Sequence, residues 1–256
     1  MPEQNITQQK FNQLIENKGW FNQEDSVVVA VSAGVDSMAL LNLMMNLPNK
    51  KRPRIIVAHV NHQLRAQSKE EEKYIRHFCQ SHNVKIVVGN WEKQFHPNNG
   101  IEMAARKYRY DFFSKVMKKN NSRILLTAHH ANDQSETVLM RLIRGSFIKD
   151  IVGIKESRNF NQGRLIRPLL GFSKQELTQY MQALSVKWYE DDTNQKLDVT
   201  RNRIRHRLIP FIESENSRGI EHINAFSQQL NLMKQQNDYF MAKIAKDISV
   251  DSITYD

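Results

Sequence analysis

The stretch Val27-Val28-Val29-Ala30-Val31-Ser32-Ala33-Gly34-Val35-Asp36-Ser37-Met38-Ala39-Leu40-Leu41 decides the fold. Its apolar first half shows no polar alternation, as in a strand buried on both faces of a parallel sheet. The run breaks at Ser32-Ala33-Gly34 and resumes as an apolar helix with Asp36 in its first turn. A turn without bulky side chains lets backbone N–H groups approach an anion. The helix start adds about half a positive charge. Ser32 and Ser37 bring hydroxyls, and Asp36 brings a hard oxygen suited to magnesium. The ligand such a turn suits is a phosphate with its metal; the alternative is a plain turn in which Ser32 and Asp36 only cap. No Gly-Lys-Ser/Thr run occurs, so this is not the common NTPase loop.

Outward from this turn, strands alternate with helices. The pattern predicts a lead-in helix over 5–18, strands over 27–31, 54–59, 84–88 and 123–127, and helices over 37–47, 68–81, 101–119 and 132–144. Ser68 is read as the N-cap of its helix. The fold class is therefore α/β, a mainly parallel Rossmann-like sheet with helices on both faces and right-handed crossovers. Ligands of such sheets bind at the carboxyl ends of strands, which gathers 32–37, 58–65 and 127–136. A strand pair turns near Asn161-Gln162-Gly163, and Ser173 with Glu176 forms a capping box for a helix to about 184. Beyond residue 219 a small C-terminal helical segment follows, with Ile223, Phe226, Leu230 and Met233 as its packed face.

The bulk properties narrow the function. The chain has 256 residues, room for one large domain and a small annex. No apolar run is long enough to span a membrane, and residues 1–10 lack a signal core; a cytoplasmic protein is expected. Cys79 is the only cysteine, which excludes an internal disulfide or a cysteine cluster within the chain; it reads as a half-buried packing residue. A net charge of +10 points to a polyanionic partner, nucleic acid above all.

Four constellations carry chemistry. Ala58-His59-Val60-Asn61-His62-Gln63-Leu64-Arg65 leaves the second strand and offers backbone and side-chain groups for a purine, against a reading as strand-end polar residues. Thr127 to Thr137 carries Asn132, Asp133 and Glu136; the two acids share a helix face and suit magnesium or the ammonium groups of a cationic substrate, with Val138, Leu139, Leu142 and Ile143 turned inward. Arg106 and Arg109, three apart on the long helix, can clamp phosphate or ribose or be solvated charge. Arg201, Arg203, Arg205 and Arg207 lie within seven residues, and arginine forks suit an RNA backbone. The acids of Asp191-Asp192-Thr193-Asn194 are expected to pair with some of them.

Taken in order, these blocks resemble the tRNA(Ile)-lysidine synthetase family of PP-loop ATP pyrophosphatases. The residues concerned are Ser32-Ala33-Gly34-Val35-Asp36-Ser37, His59 to Arg65, Ala105-Arg106-Lys107-Tyr108-Arg109-Tyr110, Thr127 to Thr137, Arg141 to Gly145, and Asp192-Thr193-Asn194 with Arg201 to Arg205. The resemblance implies a PP-loop catalytic domain over 1–212, then a helical linker or the start of a truncated C-terminal domain over 213–256. It implies ATP-dependent ligation of L-lysine to the 2-position of the wobble cytidine of a CAU-anticodon tRNA(Ile), through an adenylated tRNA, with release of AMP and pyrophosphate. Asp36, Asp133 and Glu136 are the catalytic candidates, Asp36 as magnesium ligand. ATP would lie on Ser32, Ala33, Gly34, Val35, Asp36, Ser37, Ala58, His59, Asn61, Arg106 and Thr127. Lysine would lie on Asn132, Asp133 and Glu136, and tRNA on Arg65, Arg109, Arg201, Arg203, Arg205 and Arg207. His62 and His130 are the candidate bases for the lysine amine, and a homo-oligomer is allowed. Two departures stand out. Ala33 replaces a second glycine, which is harmless only if its φ is negative. Asn132 replaces the first of a pair of aspartates. Rival readings are a tRNA thiolation enzyme on the same fold, which the lone cysteine disfavours, and a non-catalytic nucleotide-dependent RNA-binding protein.

Overall fold

The structure, a computed structural model, describes residues 3–64, 67–190 and 199–251. Arg65 and the Asp191–Asn194 block lie outside the described residues. Compactness divides the chain into two units, Met1–His130 with Glu156–Asp192, and Ala131–Lys155 with Thr193–Asp256.

The first unit is built on a six-stranded sheet. Its strands are β1 (Ser26–Ala30), β2 (Arg54–Asn61), β3 (Lys85–Asn90), β4 (Ile124–Leu126), β5 (Ser157–Phe160) and β6 (Gly163–Ile166), in the order β3-β2-β1-β4-β6-β5. All neighbours are parallel except the β5–β6 hairpin. Around it lie α1 (Glu3–Lys18), α2 (Val35–Met45), α3 (Ser68–Ser81), α4 (Ile101–Lys119) and, numbered in chain order after two helices of the second unit, α7 (Lys174–Ala183). Val27 and Val29 face a core filled from α1, α2 and α7, while Val28 faces Phe113, Val116 and Met117 of α4. A strand covered on both faces has no polar side to show, which explains the unbroken valine run. The expected α/β architecture is present, and the capping box at Ser173 and Glu176 forms in full.

Two local readings need correction. Ser68 is the first helical residue of α3 rather than its cap; Gln67 holds the cap position with no side-chain bond. Cys79 is wholly buried, not half-buried, and burial pushes its thiol up to about 12.

The second unit contains α5 (Ala131–Ile143), α6 (Ile148–Ile151), α8 (Thr200–Arg203), a π-helical turn (Ile204–Leu208), α9 (Ile209–Glu215) and α10 (Gly219–Asp251). Helix α5 closes where Gly145 adopts φ 69°, the left-handed C-terminal position glycine favours. The apolar core here is small: Ala131, Ile204, Ile209 and Ile220, with Leu139, Met140 and Leu208 against it. Leu142 and Ile143 were expected to face inward and are exposed instead. The face of α10 also differs from the hydrophobic reading, since Phe226 and Met233 are 47% and 65% exposed whereas Ser227 is 1% exposed. Polar side chains take the inner positions because each finds a partner. Ser227 donates to the Val152 carbonyl at 2.9 Å and receives Gln134 Nε2 at 2.9 Å. Asn224 donates to the Ala131 carbonyl at 3.0 Å and accepts from the Ser135 hydroxyl at 2.9 Å. Among the described residues, no helix is long and apolar enough to cross a membrane.

Candidate active site

The turn between β1 and α2 is closed by its own hydroxyls. Ser37 Oγ accepts the Ser32 N–H at 3.1 Å and donates to the Gly34 carbonyl at 2.9 Å, with Ser32 Oγ 3.2 Å away. The first amides of α2 have no partner within the helix, so they point out of its end toward this turn. Ala33 has φ 72°, so the condition that would make its methyl harmless is not met. The left-handed position costs an L-residue about 1–2 kcal/mol. Ala33 carries that strain while wholly buried, its carbonyl held by the Tyr189 amide at 3.0 Å. Gly34, by contrast, sits at φ −70°, and an added Cβ would meet Ser32 Oγ at an ordinary 3.5 Å.

Register sets the neighbours of this turn. Ala30 pairs with Ala58 across β2, and Val29 with Leu126 across β4, so the ends of the three strands lie side by side. The Val31 N–H bonds the Ala58 carbonyl at 3.0 Å. His59, 2% exposed, donates Nδ1–H to the Val31 carbonyl at 2.8 Å. Burial lowers its pKa, only partly offset by that hydrogen bond; the ring is neutral, with Nε2 buried and without a protein partner. Asn61 is engaged on both ends, donating to Glu72 at 2.8 Å and accepting from the Gln63 amide at 3.0 Å. Thr127 Oγ1 lies 3.1 Å from His129 Nδ1. His130 Nε2 lies 3.6 Å from Asp36, while His62 packs edge-on against Trp91. Arg106 lies over the Tyr110 ring, 5.1 Å from its centroid.

Asp36 has a partner the sequence reading missed. Lys174 Nζ stands 2.8 and 2.9 Å from its two oxygens. Lys174 is the first residue of α7, where the helix dipole disfavours a cation; that misplaced charge after a capping box was the signal in the sequence. Hydroxyls, helix-start amides, a carboxylate and a nearby ammonium are the donor set that a polyphosphate and its magnesium need, so these residues fit both.

The second unit holds the other acids. Glu136, 1% exposed, has Arg201 Nε 2.7 Å from Oε2 and Arg205 Nε 2.6 Å from Oε1. Asp133 Oδ1 lies 3.0 Å from Arg201 and 3.5 Å from Arg205. The spacing of Arg201 and Arg205 puts both on the side of these acids, while Arg203 and Arg207 are exposed. Two residues expected on RNA are thus committed to the two carboxylates expected on lysine. Asn132 opens the same helix.

A parallel sheet with a hydroxyl-rich, acid-bearing turn after its central strand defines a PP-loop protein. The chain belongs to the PP-loop domain family, an ATP-binding family whose model matches residues 3–212. It is similar to curated tRNA(Ile)-lysidine synthases. That of Lactiplantibacillus plantarum is 49% identical over 225 residues, covering 88% of this chain and 50% of that one. That of Streptococcus pyogenes is 42% identical over 230 residues, covering 90% and 51%. The chain spans about half the length of the curated relatives it matches. The fold is shared with the U34-tRNA thiolase NcsA of Methanococcus maripaludis at a TM-score of 0.70 and 14% identity, over 87% of this chain and 78% of that one.

Proposed function

We propose that this chain catalyses ATP-dependent attachment of L-lysine to the C2 position of the wobble cytidine in a CAU-anticodon tRNA(Ile), in the cytoplasm. The observation that carries this reading is the 42–49% identity to tRNA(Ile)-lysidine synthases over nearly nine-tenths of the chain. The thiolase structure holds a 4Fe-4S cluster, whereas this chain has a single, wholly buried cysteine, which argues against sulfur transfer.

In the proposed reaction the cytosine O2 attacks the α-phosphorus of ATP, and the α–β bond breaks with its electrons leaving on pyrophosphate. The ε-amine of lysine then adds to C2, AMP departs with the former O2, and the amine gives up a proton. Ser32, Ser37 and the first amides of α2 would hold the β and γ phosphates. Asp36 would ligate magnesium, which supplies charge neutralisation to the leaving pyrophosphate. Ala33, Gly34 and Val35 would line the phosphate turn, and Ala58, His59, Asn61 and Thr127 the nucleoside side. Asn132, Asp133 and Glu136 would receive lysine. Because Arg201 and Arg205 already answer both carboxylates, a lysine ammonium must displace one guanidinium or share its acid. Arg109, Arg203 and Arg207 would meet RNA phosphates.

The decisive experiment incubates the chain with ATP, labelled lysine and CAU-anticodon tRNA. Label on the tRNA with matching AMP and pyrophosphate is expected; ATP and tRNA binding without label would favour a nucleotide-dependent RNA-binding protein. Asp36→Ala is expected to abolish tRNA-dependent pyrophosphate release, and release at the wild-type rate would remove Asp36 from the chemistry.

A further inference from the structure

We propose that the first unit carries a second anion site, centred on Tyr110, that takes a backbone phosphate of the RNA substrate. It rests on the reading that RNA is a substrate. Four arginines from three segments converge on one tyrosine. The Arg106 and Arg158 guanidinium carbons lie 5.1 and 5.7 Å from the Tyr110 ring centroid, and Arg158 is also 5.5 Å from that of Phe160. Arg167 hydrogen-bonds the Tyr110 side chain. Arg109, beside Tyr110 in sequence, buries its Nε without a protein acceptor.

Three of the four arginines lack an acidic partner: among the described residues, Arg106, Arg109 and Arg158 form no ion pair with a carboxylate. Arg109 and Arg167 are both pushed below the usual arginine range, chiefly by burial. Arg106 bears on Arg109, and Arg106 and Arg158 on Arg167, as like charges, while Tyr110 acts on both in the opposite sense. Withdrawing like charges from water is unfavourable, and stacking on aromatic faces offsets only part of it. An anion among the forks offsets the rest, and arginine matches phosphate oxygens two at a time.

Placement selects the kind of phosphate. Ser157 pairs with Ile166 and Arg158 with Leu165, so Arg158 and Arg167 stand toward the carboxyl end of β6, the ligand edge of the sheet. Ser114 of α4 meets Asn161 at the hairpin turn, which places Arg106, Arg109 and Tyr110, one to two turns earlier, toward that edge as well. In the strand order, β6 is two strands from β1, on the side opposite β2. That is about 10 Å from the phosphate turn, on the side away from β2, whose end supplies Ala58, His59 and Asn61 to the proposed nucleoside site, with β4 and its Thr127 in between. The site therefore faces the second substrate, and forks interleaved with an aromatic ring suit a nucleic-acid backbone.

The test uses the full chain and CAU-anticodon tRNA, with anisotropy read from about 50 to about 300 mM salt and ATP binding followed separately by calorimetry. Arg158→Ala is expected to weaken tRNA binding about tenfold. It should reduce the log–log salt slope by about 0.9 and leave ATP affinity unchanged. Arg158→Lys should keep the salt slope and recover part of the affinity. Lys115→Ala, which removes an exposed charge further along α4, should change tRNA affinity less than about twofold. Wild-type affinity in Arg158→Ala overturns the site, as does a loss confined to ATP. A wild-type chain that binds ATP but no tRNA would overturn the RNA reading itself, a separate and recognisable failure.

Discussion

The core around β1 and the interface between α5 and α10 both exclude water, by opposite means. Around β1, Phe11, Leu40, Leu41, Leu43 and Leu47 are wholly buried and owe their places to area alone. Between α5 and α10, Gln134, Ser135, Asn224 and Ser227 are buried, each in a specific hydrogen bond. Glu136 adds a buried charge answered by two arginines. An apolar core is non-directional and tolerates small shifts. A polar interface holds one register and is costly once any member is missing. The sheet unit should therefore be robust to salt and the helical unit sensitive to it, a difference that segment-resolved hydrogen exchange can read.

The largest expected effect lies in the apolar core. Phe11→Ala, which also removes the tilted contact with Phe172 at 6.2 Å, should cost about 3–5 kcal/mol in chemical denaturation, independent of salt. A cost under about 1 kcal/mol would mean that α1 is not part of the cooperative core. Next, Glu136→Ala removes the more buried of the two acids that hold Arg201 and Arg205 and leaves them Asp133. At 35% and 30% side-chain exposure, Arg201 and Arg205 recover some hydration, so the loss should be about 3 kcal/mol or somewhat less. Exchange should rise in α5 and α8 and not in β1; uniform acceleration would erase the contrast between the units.

Asn224→Ala is expected to cost about 1–3 kcal/mol by removing the donor to the Ala131 carbonyl and the acceptor of the Ser135 hydroxyl. If Asn224→Leu were instead more stable, the interface would be apolar in effect. Acid should act on the sheet unit through His59, on which Glu72 and Arg76 of α3 also act. Its folded pKa is lowered, so the unfolded chain binds the proton first. The stabilisation is complete above the ordinary histidine value of 6.5 and is lost as pH falls below it, by up to about 1.4 kcal/mol per pH unit. A wild-type slope retained in His59→Gln would place that linkage on another group. The smallest effect is Ala33→Gly, which relieves the left-handed strain and should raise stability by up to about 1 kcal/mol. A destabilised Ala33→Gly would show that the buried methyl contributes more than the strain removes.

Much of the sheet unit was legible because its signals are local. The valine run, the hydroxylated turn, the β5–β6 hairpin and the Ser173–Glu176 box each lie within a few residues, and the structure reproduces them. In the helical unit, α10 misled a hydrophobic reading because the packed positions belong to Asn224 and Ser227. Nothing at those positions in the sequence announces that Ala131, Ser135 and Gln134 complement them. The acids Asp133 and Glu136 were legible as a pair on one face; their answering arginines, 65 to 72 residues away, were not.

Sequence by itself determined the alternation of strands and helices, the hydroxyl-rich, acid-bearing turn at Ser32–Ser37 and the absence of a cysteine pair, because hydrophobic period, turn chemistry and composition act over short range. Only the tertiary structure decided three other matters: that Lys174 stands on Asp36, that Glu136 is held by Arg201 and Arg205, and that Arg158 and Arg167 join Arg106 and Arg109 around Tyr110. Each depends on strand order or helix packing that joins distant segments, and charge interactions follow distance in space rather than separation along the chain.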